Sequence, residues 1–151
     1  MFKEITGKLW KNIPRWARLR IIRTTQNTFT ASAGALVTNR SEEILLLDHV
    51  LRPKSGWGIP GGFMNHGEQP EQTVSREIME EVGLELSNIK MIRVRTSGRH
   101  IEILFSAEAE GEPKVLSREI KSAGWFAVNE IPAEMNPAEK FIIENYLKSE
   151  L

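Results

Sequence analysis

An α/β sandwich around a mixed β-sheet, with helices on both sides, is the fold class this chain predicts. Three observations point there. Apolar and β-rich runs occupy residues 28–38 and 43–48; apolar side chains recur every fourth position from 70 to 82; and two further β-rich runs precede an amphipathic C-terminal stretch. At 151 residues the chain is one domain's worth, long enough to bury a core without disulfide or metal staples.

Residues 1–26 read as an appended basic, amphipathic segment, and 27–151 as the main domain. Phe2, Ile5, Leu9 and Trp10 follow helical spacing until Asn12-Ile13-Pro14 interrupts them. A second short helix is expected with Pro14 at its first position, running through Trp16, Leu19 and Ile22. Two roles compete for this segment: turns packed on the domain or on a second copy in a homodimer, and a basic surface that meets phosphates or lipid head groups.

In the main domain, residues 28–38 and the apolar run 44–47 read as strands joined at the polar turn Asn39-Arg40-Ser41. A loop at 52–56 leads to Trp57-Gly58-Ile59-Pro60-Gly61-Gly62. A helix should start at Pro70, with Glu71 complementing its dipole and Gln69 as a weak N-cap. Val74, Ile78 and Val82 form its buried stripe, and Gly83 its stop. Residues 90–95 and 100–109 read as strands, 125–128 as a short strand, and 137–149 as a helix with Phe141, Ile142, Tyr146 and Leu147 inward.

Composition removes several functions. Charged residues make up 26% and apolar ones 40%, and the formal net charge is zero, so no global field draws nucleic acid or an anionic membrane. The charge is unevenly placed: residues 1–23 carry seven Lys/Arg against the single Glu4. With no cysteine there are no disulfides, thiol nucleophiles or zinc–thiolate sites. No run approaches the roughly 20 apolar residues of a membrane span or the apolar stretch of a signal peptide. The expected location is cytoplasmic, with an organellar transit peptide as the alternative reading of the basic N-terminus.

The chemistry lies in Arg76-Glu77-Ile78-Met79-Glu80-Glu81. Glu77, Glu80 and Glu81 fall at i, i+3 and i+4, which a helix places close together. An acidic run on a helix is ordinarily a solvated face. Like charges so near repel by a few tenths of a kcal/mol per pair, roughly, and a divalent cation turns that repulsion into binding. Hard oxygen ligands suit Mg²⁺, with Mn²⁺ as the alternative ion.

The flanking residues decide between these readings. Gly62, five residues, Glu68, seven residues, Arg76-Glu77, an aliphatic, one residue, Glu80-Glu81, one residue, Gly83 and an aliphatic make up a complete Nudix box. The chain thus resembles the MutT-like Nudix hydrolase superfamily over residues 28–151, with no departure at any defining position. Seven fixed residue types at ordinary frequencies coincide by chance roughly once in 10⁸ starting points.

The resemblance implies a Nudix fold for 27–151 and hydrolysis of a pyrophosphate bond. The substrate would be a nucleoside diphosphate linked to another moiety: a nucleoside triphosphate, ADP-ribose or a nucleotide sugar, with a capped RNA 5′ end less favoured. It implies that Glu77, Glu80, Glu81 and the backbone carbonyl of Gly61 hold Mg²⁺, that Arg76 orients a box glutamate, and that Glu68 ties down the loop. Family members vary in their catalytic base. A glutamate in a loop ahead of a late Trp strand points to Glu119, six residues before Trp125, with Glu102, Glu112 and Glu130 as fallbacks. The bland reading of Glu119 is a solvated carboxylate beside Arg118.

Arg52, Lys54 and Arg99, with Arg93 and Arg95, are the candidate phosphate contacts, although a solvated surface role is the commoner fate of such residues. His100 reads as structural. Trp57 and Phe126 could stack a base, but strand contexts favour packing. The proline and tyrosine markers that some subfamilies carry downstream of the box are missing around Arg99-His100-Ile101. The alternative function is a Nudix-fold module that senses a nucleotide without hydrolysing it. A prenyl diphosphate isomerase would normally use a cysteine, which this chain lacks.

Overall fold

The computed structural model describes residues 7, 10–52 and 55–150, the last three by backbone alone. Phe2, Ile5, Leu9 and Lys54 lie outside the described residues. The chain divides into two compact units, Met1–Thr30 and Ala31–Leu151. In the first, residues 10–12 are helical, Ile13 bends the chain, and α1 (Arg15–Thr25) follows. Pro14 is its N-cap, one position earlier than expected, and no residue of α1 is buried.

The second unit is built on a seven-stranded sheet. β1 (Thr30–Thr38) and β2 (Ile44–His49) form a hairpin whose turn is held by Asn39, which accepts from the backbone N–H of Ser41 and Glu43 at 2.9 and 3.0 Å. Beyond the Thr38–Ile44 pair the two strands diverge. β3 (Trp57–Gly58) then pairs with β2, and β4 (Gly61–Phe63) with β1. The other edge of β2 takes β7 (Ile120–Phe126). The other neighbour of β1 is β6 (His100–Glu108), itself paired with β5 (Ser87–Ser97). Ser32 meets His100 at the start of β1 and β6, and Ala109 N–H donates to Thr38 O at their ends, so these two strands run parallel. All the other registered pairs are antiparallel, and the sheet is mixed.

Strand alternation builds two cores. Ala33, Ala35, Val37, Leu45 and Leu47 face α2 (Pro70–Val82), which buries Val74, Ile78 and Val82. Leu36, Ile44 and Leu46 face the opposite way, toward Ile131, Met135 and α3 (Pro137–Glu150), where Ile143 is fully buried. Gln72 accepts from the N–H of Gln69 at 3.0 Å, which strengthens the cap expected to be weak.

Three expectations need correction. β7 begins at Ile120 and ends at Phe126, because residues 120–124 pair along β2 despite the weak strand preference of Lys121, Ser122 and Gly124. β5 is longer than expected, at Ser87–Ser97. In α3 the inward residues are Ile142, Ile143, Tyr146 and Leu147, whereas Phe141 is 66% exposed. Two positions along a helix turn the side chain by about 200°, so Phe141 cannot share a face with Ile143.

Candidate active site

The site is built where β4 meets α2. Gly61 has φ +151°, and a side chain there would press on the Ala33–Gly34 backbone. Gly62 has a different need: a methyl group on it would collide with both carboxylate oxygens of Glu77. Gly61 thus lets β4 lie against β1, and Gly62 lets the acidic helix seat a carboxylate directly against backbone.

Arg76 organises one side of this helix. Its Nε and Nη2 donate to the two oxygens of Glu68 at 2.8 and 3.1 Å, in the forked geometry that guanidinium and carboxylate favour. Its Nη1 donates to Glu77 Oε1 at 2.9 Å and to Glu80 Oε2 at 3.2 Å, and Nη2 to the carbonyl of Phe63 at 3.3 Å. Glu68 also accepts from Asn65 N–H at 2.9 Å. The Arg76 bonds, then the Asn65 bond, hold the Glu68 carboxyl down at about 2. Glu68 in turn, followed by Glu77, pushes the Arg76 guanidinium up.

Glu81 belongs to a different environment. Of the three box glutamates, Glu80 is exposed, Glu77 half-buried and Glu81 buried at 6% exposure. Its Oε2 has no hydrogen-bond partner among the described residues. Burial, and then the charge of Glu77, pushes this carboxyl up to about 7. Beside it lies His49, with Nδ1 4.0 Å from Glu81 Oε1. Burial, and then the charge of Arg52, pulls the imidazole down to about 4, so it is neutral at pH 7.

Glu119 is exposed immediately before β7, and Val50 N–H donates to its carbonyl at 2.8 Å. The preceding loop is stitched to the end of α2, with Leu116 N–H donating to Glu81 O at 2.9 Å and Lys114 N–H to Val82 O at 3.0 Å. The charge of Glu119 reaches Glu81 and helps to raise its carboxyl. The fallbacks are dispersed. Glu112 and Glu130 are exposed, the latter in a 3₁₀ turn at Val128–Glu130, and Glu102 is ion-paired with Arg95 on the β5–β6 hairpin.

A cavity of about 220 Å³ opens beside Gly61, Gly62 and Phe63, with Leu104 and Ile59 among its apolar lining and Arg52, Arg95, Glu102 and Glu139 among its polar lining. Arg52 is committed there: Nη1 pairs with Glu139 Oε2 at 3.3 Å and Nη2 donates to Ile59 O at 2.9 Å. Glu139 also accepts from Ile59 N–H at 3.0 Å. Arg99 is exposed in the β5–β6 turn and does not line this cavity. Trp57 and Phe126 pack edge to face at 5.0 Å against the second core. His100 bonds Ser32 at 2.9 Å and meets Phe63 edge-on. Sequence reasoning missed His49 and Glu139, since neither falls in a motif.

The donors fit a hard divalent cation in kind: carboxylate and backbone oxygens, one of them buried and unmet at Glu81. Among the described residues no three His, Asp or Glu side chains converge closely enough to hold an ion as they stand. Arg76 holds one oxygen of Glu77 and one of Glu80 instead.

An acidic helix seated on a Gly-Gly strand, within an α/β/α sandwich, defines the class of Nudix-fold proteins. The NUDIX domain family model matches residues 28–146, and the chain belongs to that family. Among curated proteins it is similar to the NAD-capped RNA hydrolase NudC of Pectobacterium carotovorum subsp. carotovorum (strain PC1), 35% identical over 96 residues, covering 62% of this chain and 37% of that protein. The chain thus spans little more than a third of the curated relatives it matches. Among solved structures, a MutT NUDIX hydrolase from Burkholderia pseudomallei is 29% identical with a TM-score of 0.66, covering 76% of this chain and 95% of that one. The NUDIX domain of Shewanella oneidensis NrtR, complexed with ADP ribose, shares the fold at a TM-score of 0.72 and 17% identity, covering 92% of this chain and all of that one (100%).

Proposed function

We propose that this chain is a Mg²⁺-dependent Nudix pyrophosphohydrolase, with Mn²⁺ as the alternative ion. It would cleave the diphosphate of a nucleoside diphosphate linked to another moiety. The carrying observation is the carboxylate arrangement on α2: Glu77 seated against Gly62 and Glu81 buried with an unmet oxygen. Glu77, Glu80, Glu81 and the carbonyl of Gly61 would hold the ion, which when bound neutralises charge on the diphosphate oxygens. Arg76 keeps Glu77 and Glu80 oriented. Glu119, on the loop stitched to α2, takes the proton of the attacking water, and exposure keeps that carboxylate free to exchange it.

Within this substrate class, similarity to hydrolases named for NAD-capped RNA favours NAD(H) and NAD-capped RNA alongside nucleoside triphosphates, ADP-ribose and nucleotide sugars. Arg52, Lys54 and Arg99 remain the proposed substrate contacts, and of these Arg52 lines the cavity. No helix among the described residues is long and apolar enough to cross a membrane. A cytoplasmic location, a nucleotide partner and a homodimer with residues 1–26 as an accessory segment complete the proposal.

The test is Mg²⁺-dependent hydrolysis across that panel, with Glu81→Gln as the control. One substrate turned over well above the rest, and lost in the variant, supports the reading. Nucleotide binding by calorimetry with no turnover of any substrate would replace it with the sensing module.

A further inference from the structure

The Glu81 carboxyl has a neighbour that the box does not supply. His49 ends β2, where the register against β7 shifts between Asp48 and His49. The extra residue, Lys121, lies on β7, and alternation along β2 sets His49 on the face of Leu45 and Leu47, toward α2, at 12% exposure. The backbone is pinned just after the shift: His49 N–H donates to Gly56 O and Val50 N–H to Glu119 O, each at 2.8 Å. Gly56 packs so closely that a methyl group there would collide with the Asp48 side chain. Among the described residues, His49 Nε2 and Glu81 Oε2 are both buried and unmet, a rare state in natural interiors. Arg52 does not fill this role, because its guanidinium is committed to Glu139 and the Ile59 carbonyl.

We infer that His49 is a positioning residue for Glu81: the end of β2 sets an imidazole beside that carboxyl and fixes its orientation toward the ion. The inference rests on the metal-site reading of Glu81 proposed above. At 4.0 Å the two groups are beyond direct hydrogen bonding, so the imidazole acts after a small turn of the carboxyl or through one bridging water. Groups that orient a metal-binding carboxylate typically change ion affinity by about 10–100-fold when removed.

Mn²⁺ binding to the full chain, followed by electron paramagnetic resonance, tests this without substrate. His49→Leu should weaken Mn²⁺ binding by about 10–100-fold, as Glu81→Gln should. His49→Asn, which can place an amide near the position of Nδ1, should stay close to the parent protein. Parent-like affinity in His49→Leu, with loss in Glu81→Gln, overturns the role of His49 and leaves the metal site standing. Parent-like affinity in Glu81→Gln overturns the metal-site reading itself. Equal weakening in both His49 variants, with matching losses in thermal midpoint, makes His49 a packing residue and also overturns the inference.

Discussion

Glu68, Glu77 and Glu80 share one guanidinium, whereas Glu81, one residue beyond Glu80, has no donor on its inner oxygen among the described residues. The same acidic run therefore contains two electrostatic regimes. On the Arg76 side, charge is matched by forked bonds, and the Glu68 carboxyl is held near 2. On the His49 side, desolvation and the charge of Glu77 lift the Glu81 carboxyl to about 7. The difference teaches that the Arg76 group is held by interactions the fold supplies, while the charge of Glu81 is disfavoured by its surroundings, as the proposed cation site requires.

The sharpest test of this contrast separates activity from stability. Glu81→Gln should lower kcat by about 10³-fold, the scale of several kcal/mol of lost charge stabilisation. Its thermal midpoint should hold or rise, because a neutral amide replaces a desolvated carboxyl. A large loss of midpoint would show that Glu81 is a structural group. Next in size, Glu119→Ala should cost about 10²–10⁴-fold in kcat if that residue moves the proton. A loss below about tenfold would remove it from the role of base.

Arg76→Ala should show the opposite balance. It leaves Glu68, Glu77 and Glu80 without their shared cation, so the midpoint should fall by several degrees even at saturating Mg²⁺. Arg76→Lys should recover only part of this, because a point charge cannot reproduce the fork to Glu68. An unchanged midpoint in Arg76→Ala, read by calorimetry, would erase the distinction between the two sides of the helix.

Much of this architecture was legible in the sequence, because it follows from local rules. The four-residue recurrence of Val74, Ile78 and Val82 gave α2, and Gly83 ends it in the left-handed conformation. The box spacing marked Gly62 and Glu77, which lie so close that a methyl group on Gly62 would displace the Glu77 carboxylate. What stayed hidden depends on distant pairing. β7 is held by β2, which lies more than 70 residues earlier, and its own residues carry little strand preference. The burial of Glu81 comes from tertiary packing, not from its position in the run. His49 and Glu139 acquire their roles only when β2 and α3 are folded beside the box.

The smallest effect is the pH dependence of the metal-free protein, and its sign tests the strain at Glu81 directly. The folded carboxyl, at about 7, lies above its ordinary 4.5, so the folded state binds the extra proton. Stability from this group is full below 4.5 and is lost as pH rises through 7. His49 works the other way, since its folded value of about 4 lies below 6.5 and its contribution grows as pH rises through that window. Between 4.5 and 6.5 the two slopes oppose each other, and above 6.5 the opposition fades as the unfolded histidine loses its proton. Thermal midpoints measured in chelator should therefore decline gently from pH 6.5 to beyond 7, by a fraction of the roughly 1.4 kcal/mol of stability per pH unit that one whole proton would give. Glu81→Gln should flatten that decline. A decline that survives the substitution would assign it to another group and leave Glu81 no more strained than its neighbours on the Arg76 side.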